Sequence, residues 1–337
     1  MDKMITSAAR RARRIFSSNQ PLTDPVFGRV GEQFNRAQYF VRIYYIVSAF
    51  ISYSLMNGLH ARVLRSGEWD YLWPLAWLAQ INDNSIIEWL PVAALFASLF
   101  AFQFPAFRVF RVVFAILCLF TAAAFNSQGS ISHGLHVWFW IGFGLVFLPN
   151  APANHAVPRT VKMTYLSVIV AVQALILFFY TLAGFWKILA GLTSLLRGVE
   201  GNFSPRGLSL QLADRMLQTG TSPLLADVVI ANFWLSWPMF LALIYIQLVA
   251  VIIVLRPRLH VLWGYLLMMF HLGTWLLMEI AFQHHILFLG LLFVMSPFRP
   301  RSWTVRDAIS DLPVFGRLLA LGWRTHPDKR VGPVPAE

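Results

Sequence analysis

About eight long runs of apolar residues constrain this chain more than any other feature. They lie near 38–58, 87–104, 106–125, 132–149, 163–189, 228–255, 259–279 and 283–297. An α-helix rises ~1.5 Å per residue, so ~20 residues cross the ~30 Å hydrocarbon core of a bilayer, and most of these runs suffice. Inside hydrocarbon each backbone N–H and C=O needs a partner within its own segment, which leaves helices as the only structure for separate runs of this kind. The sequence therefore predicts an all-α, polytopic transmembrane helix bundle. The last run is short and is set off from its neighbour by a tight break near Ala281 and Phe282, so one bent hairpin there would lower the count to about seven. Composition agrees, with 58% hydrophobic and only 12% charged residues, where a soluble domain carries roughly 25% charged.

The basic residues test that count. With the N-terminus inside, one side of the membrane holds the arginines and lysines before residue 37, Arg108 with Arg111, Arg159 with Lys162, Arg256 with Arg258, and those after residue 298. The other side holds Arg62, Arg65, Arg197, Arg206 and Arg215. A bias of roughly four to one predicts both termini in the cytoplasm. The same placement explains the net charge of +12 without nucleic acid, because the cations sit at span ends and tails and form no phosphate-tracking stripe. The expected organisation is a basic cytoplasmic segment over 1–37, a bundle over 38–298 and a cytoplasmic tail over 299–337. No apolar stretch precedes the first span, which is expected to serve as an uncleaved insertion signal.

The connecting segments carry less information. Trp69, Tyr71, Trp73 and Trp77 around Pro74 predict a segment lying at the headgroup level. The outer loop over 190–227 holds an amphipathic stretch at 207–218, read either as a lid over an outward-facing site or as an ordinary interfacial connector. Residues 8–16 are expected to form part of a solvated basic tail, with a short interfacial helix as the alternative. Cys118, the single cysteine, lies within a span and is expected to pack rather than react. There is no GxSxG, P-loop or strand-borne GxGxxG, so serine hydrolase, nucleotide triphosphatase and dinucleotide chemistry have no support.

Polar side chains inside the spans gather toward one side. Lys187 closes the fifth run, His133 and His136 open the fourth, Glu279 ends the seventh, and His284 and His285 begin the eighth. His271 alone is deep. An intramembrane lysine costs ~2.5–3.5 kcal/mol on insertion scales, so Lys187 is either an anchor reaching for headgroups or a working group. Gln173, Tyr180 and Lys187 recur every seven residues, and Gly184 and Ala183 share their stripe, which predicts a face turned toward a neighbouring helix. Tyr180, His136 and Glu279 are the candidate substrate contacts around that lysine. The histidines have neither an HExxH spacing nor a cysteine partner, so no metal is expected.

The run Tyr180-x-x-Ala183-Gly184-x-x-Lys187 resembles the YxxAGxxK signature of the vitamin K-dependent gamma-carboxylase-like transmembrane (HTTM) family. Two further features are similar: Phe270-His271 on a span that leads to Ser296-Pro297-Phe298, and a histidine at the start of the fourth span after Asn126. The resemblance covers roughly 40–298. It implies that Lys187 is a base that, as a free amine, deprotonates a reduced quinone of the vitamin K type. Oxygen addition then generates a strong base that takes a proton from a glutamate side chain before carbon dioxide adds. It implies catalytic-site roles for His133, with His136 as its substitute, and for His271, and a site on the lumenal face. Residues 188–196 lack the acidic and Trp positions of the carboxylase, and the tail after 298 has no room for its large lumenal domain, so protein glutamate carboxylation is not expected.

Two functions remain open on these grounds. One is a lysine-base enzyme acting on a lipid-soluble, quinol-type substrate with lyase or oxidase chemistry, using a reduced vitamin K-like quinone, at the outer face of a bacterial inner (plasma) membrane. The other is a non-catalytic membrane protein that binds lipid or a protein partner.

Overall fold

In a computed structural model of the chain, residues 26–64, 69–81, 84–129, 133–151, 157–300 and 305–316 are described. Among them the structure is all-α, without strands. Five helices are long and apolar enough to cross a membrane. They are α1 (Val30–Leu64), α2 (Ser85–Gln103), α3 (Arg108–Phe125), α5 (Arg159–Leu196), and α9 (His260–Met278) with the 3-10 turn Pro257–Leu259 ahead of it. The chain is thus an integral membrane helical protein. The segment over 8–16, read as a solvated basic tail or a short interfacial helix, lies outside the described residues.

The other three apolar runs fold as shorter or broken helices. The fourth run becomes a 3-10 turn, His133–Leu135, and a short helix, α4 (His136–Leu145). It stops ahead of Pro149, which disfavours helical geometry at the residue before it. The sixth divides into α7 (Ala226–Ala231), α8 (Phe233–Leu248) and a 3-10 segment, Ala250–Leu255. That segment ends at Arg256, whose φ of −128° and ψ of 72° lie outside the helical region, which the following Pro257 disfavours. The eighth is α10 (Gln283–Leu289) running into a π-helical turn, Gly290–Val294. Two further helices are α6 (Gly207–Thr219), in the loop after α5, and α11 (Val305–Ser310), in the tail.

Burial follows the helical period. On α5 the buried residues Tyr165, Leu166, Ile169, Val172, Gln173, Ile176, Leu177, Tyr180 and Gly184 form one stripe. The opposite face exposes Phe178, Leu182, Phe185, Trp186 and Leu189. Exposed apolar surface on this scale marks contact with lipid. Along its buried stripe α5 packs against α8, the Ala250–Leu255 segment, α4 and α1, which makes it the central helix. Gly184 lets α8 approach closely: a Cβ there would lie 2.5 Å from the Leu248 nitrogen and 2.9 Å from its Cα.

Polar contacts pin the two ends of the bundle. Arg29 and Arg36 both donate to the Arg299 carbonyl, so the chain returns at 299 to the end where α1 begins. Gln173 donates to the Leu292 carbonyl at 2.6 Å, within the π-helical turn. His260 lies 2.8 Å from the Ser296 hydroxyl. At the other end Arg62 donates to the Phe125 carbonyl, and the Asp70 nitrogen to Ser127. Trp73–Gln80, the tryptophan-rich segment, is a 3-10 helix that buries Pro74, Leu75 and Leu78 and leaves Trp73 exposed.

Candidate functional site

Five helices surround one cavity of about 380 Å³. Tyr180, Ala183 and Lys187 of α5 face it, with His133 and His136 at the start of α4, Gln247 near the end of α8, Phe270 and His271 of α9, and Phe282 and His285 at the turn into α10. The seven-residue repeat on α5 explains how Tyr180 and Lys187 come to face the same space. Trp140 and Phe179 complete an aromatic wall, with ring centroids 5.8 Å apart.

The deepest polar contact joins α5 to α9. The Tyr180 hydroxyl lies 2.6 Å from His271 Nε2, and His271 is only 4% exposed. His271 Nδ1 is buried and has no hydrogen bond among the described residues, and the same holds for His285 Nδ1 and Gln247 Oε1. The His271 and His285 rings stand 5.0 Å apart, with Phe282 packed at 5.0 Å from the first and 5.2 Å from the second. His133 and His136 are three residues apart and meet at their Nδ1 atoms, 3.2 Å apart. Lys187 is partly buried, and its amine has no hydrogen bond or ion pair among the described residues. Its carbonyl is held by the Asn202 side chain at 2.7 Å, and Gln211 of α6 holds Asn202 in turn at 2.6 Å.

Of the six residues singled out from sequence, Lys187, Tyr180, His133, His136 and His271 therefore line one cavity. Glu279 does not. It is an exposed residue in left-handed conformation, φ 54°, that ends α9. The loop after α5 anchors the Lys187 backbone through Asn202 but adds no residue to the cavity wall. No group of three His, Cys, Asp or Glu side chains among the described residues is arranged to hold a metal.

His285, Gln247 and Phe282 also line the cavity, though the sequence does not single them out as site residues. The sequence places His285 only at the start of the eighth run, because nothing local reveals that α10 folds back against α9 deeply enough to set the His285 ring beside His271. Gln247 carried one weak signal, an amide within an otherwise apolar run, and it is 1% exposed.

No protein-family model, no curated protein and no solved structure matches this chain.

Proposed function

We propose that Lys187 is the proton acceptor of a membrane enzyme acting on a lipid-soluble, quinol-type substrate, with eight crossings that leave both termini in the cytoplasm and the cavity toward the outer face. The observation that carries this reading is the convergence of Lys187, Tyr180, His133, His136 and His271, from three helices and a turn, on one aromatic-walled cavity. Residues chosen for their chemistry alone have no reason to meet if each is merely satisfied in its own span.

The cavity fits a bicyclic hydroquinone headgroup on three counts. Its volume of about 380 Å³ falls in the ~300–1,000 Å³ range of small-molecule sites. Trp140, Phe179, Phe270 and Phe282 offer ring faces for stacking. His271 Nδ1, His285 Nδ1 and Gln247 Oε1 are buried polar atoms with unused hydrogen-bonding capacity, suited to two ring oxygens. A reduced quinone supplies an acidic hydroxyl when bound. The Lys187 amine would take the proton of that hydroxyl and become an ammonium. No carboxylate pairs with the amine among the described residues, and a lysine locked in an ion pair would be a poor acceptor. Tyr180 and His271, fixed to each other, would position the ring.

The test is turnover of a reduced naphthoquinone with a prenyl tail by the purified full chain, wild type against Lys187→Ala and Lys187→Arg. Loss of roughly 10²-fold or more in both variants, with unchanged melting behaviour, supports the reading. Full turnover in both removes Lys187 from the chemistry. A quinol that binds the wild type and is never converted makes the cavity a lipid-binding site instead.

A further inference from the structure

The opposite end of the bundle holds a second polar cavity, unrelated to Lys187. It measures about 180 Å³ and is lined by Gln38, Arg42, Gln103, Tyr165 and the loop segments around Pro105 and Pro149. Directly behind it lies Arg111, a fully buried cation. Its guanidinium donates to the Leu148 carbonyl at 2.7 Å, the Pro105 carbonyl at 3.2 Å and the Asn150 side-chain oxygen at 3.3 Å, so it ties together the two loops that wall the cavity. Among the described residues its Nε has no partner, and none of its acceptors carries a charge.

Buried charges in proteins are normally paired, because removing an ion from water costs several kcal/mol. Here no charged partner of Arg111 is found among the described residues. No carboxylate forms an ion pair with Arg42, Arg108 or Arg111 among the described residues. Tyr165, 5% exposed, lies in the field of both Arg111 and Arg42. No hydrogen bond joins its hydroxyl, or the side chains of Gln38, Arg42 and Gln103, to another described residue. The site thus presents donors on Gln38, Arg42, Gln103 and Tyr165, with the Arg111 guanidinium behind its wall and no carboxylate in its lining among the described residues. The N-terminus of α3, at Arg108, adds the positive end of an eighteen-residue helix.

We propose that this cavity binds the phosphate of an anionic phospholipid. Phe104 and Phe107, 41% and 58% exposed, stand at its outer wall, where acyl chains would lie along their rings while the phosphate meets Arg42, Tyr165 and Gln103. Free phosphate would have no use for that aromatic wall. The position also agrees with the anionic leaflet that basic residues at span ends face.

The experiment measures binding and thermal protection of the purified full chain in detergent by dioleoyl phosphatidylglycerol, dioleoyl phosphatidylcholine and inorganic phosphate. The anionic lipid is expected to protect and the zwitterionic one to do so far less. Arg42→Gln, at an exposed position, is expected to weaken phosphatidylglycerol binding about tenfold, the scale of one charge-assisted contact. Gln103→Glu, which places a negative charge on the rim, is expected to do the same, whereas Arg258→Gln, outside the cavity, leaves binding unchanged. Equal protection by both lipids, wild-type binding in Arg42→Gln, or protection by inorganic phosphate without any by phosphatidylglycerol would each overturn the assignment.

Discussion

The Tyr180 hydroxyl and His271 Nε2 form a 2.6 Å contact that bridges α5 and α9 beneath Lys187. Removing either partner strands the other in an apolar setting, at a cost of about 1–3 kcal/mol. Tyr180→Phe and His271→Ala should each lower stability by that order. The double variant should lose less than the sum of the two, with a coupling of roughly 0.5–3 kcal/mol. Unfolding of the four proteins in a graded denaturing detergent measures it, and strict additivity would mean the two side chains act separately.

Gly184 and Gly273 should respond oppositely to alanine. At Gly184 the new methyl meets the backbone of Leu248 and Gln247, which cannot rotate away, so α5 and α8 must separate. A loss of about 1–3 kcal/mol is expected. At Gly273, inside α9, a Cβ meets nothing within 4 Å. Alanine there should be neutral or stabilising by up to about 1 kcal/mol. Melting temperatures of the two variants against wild type decide the matter.

The tail docks through a buried ion pair. Arg256, 4% exposed, reaches the Asp311 carboxylate at 3.9 Å and also donates to the Asp311 carbonyl. Asp311→Asn keeps the backbone contact and removes only the charge. It should destabilise by about 1–3 kcal/mol, less than the ~3–5 kcal/mol of losing a buried partner outright. Proteolysis within 305–316 should become faster in that variant at equal protein concentration.

Cys118 is fully buried on the inner face of α3. A maleimide should label it only after the bundle opens, so alkylation in native detergent should lag labelling in denaturant by orders of magnitude. Fast labelling of the native protein would contradict the packing of α3 against α1, where Cys118 belongs to the main core.

The sequence by itself determined the membrane character, the helical class and which face of α5 is buried. All three depend on local periodicity and on the cost of unpaired backbone in hydrocarbon, and both are readable one segment at a time. The stripe of Gln173, Tyr180 and Lys187, with His271 and the His133–His136 pair, was legible for the same reason, since an ionisable group in an apolar run is conspicuous. Glu279 was equally conspicuous, yet its left-handed backbone at the end of α9 leaves it exposed and outside the cavity wall. Only the tertiary structure decided that His285, Gln247 and Phe282 share a cavity with Lys187. It also decided that the sixth and eighth runs break into short helical pieces. Those outcomes rest on contacts between residues far apart in the chain. Gly184 admits α8, the turn at 279–282 folds α10 back on α9, and Gln173 takes up a carbonyl of the π-helical turn more than a hundred residues away. No local pattern encodes such contacts, because each exists only once two packed surfaces have chosen one another.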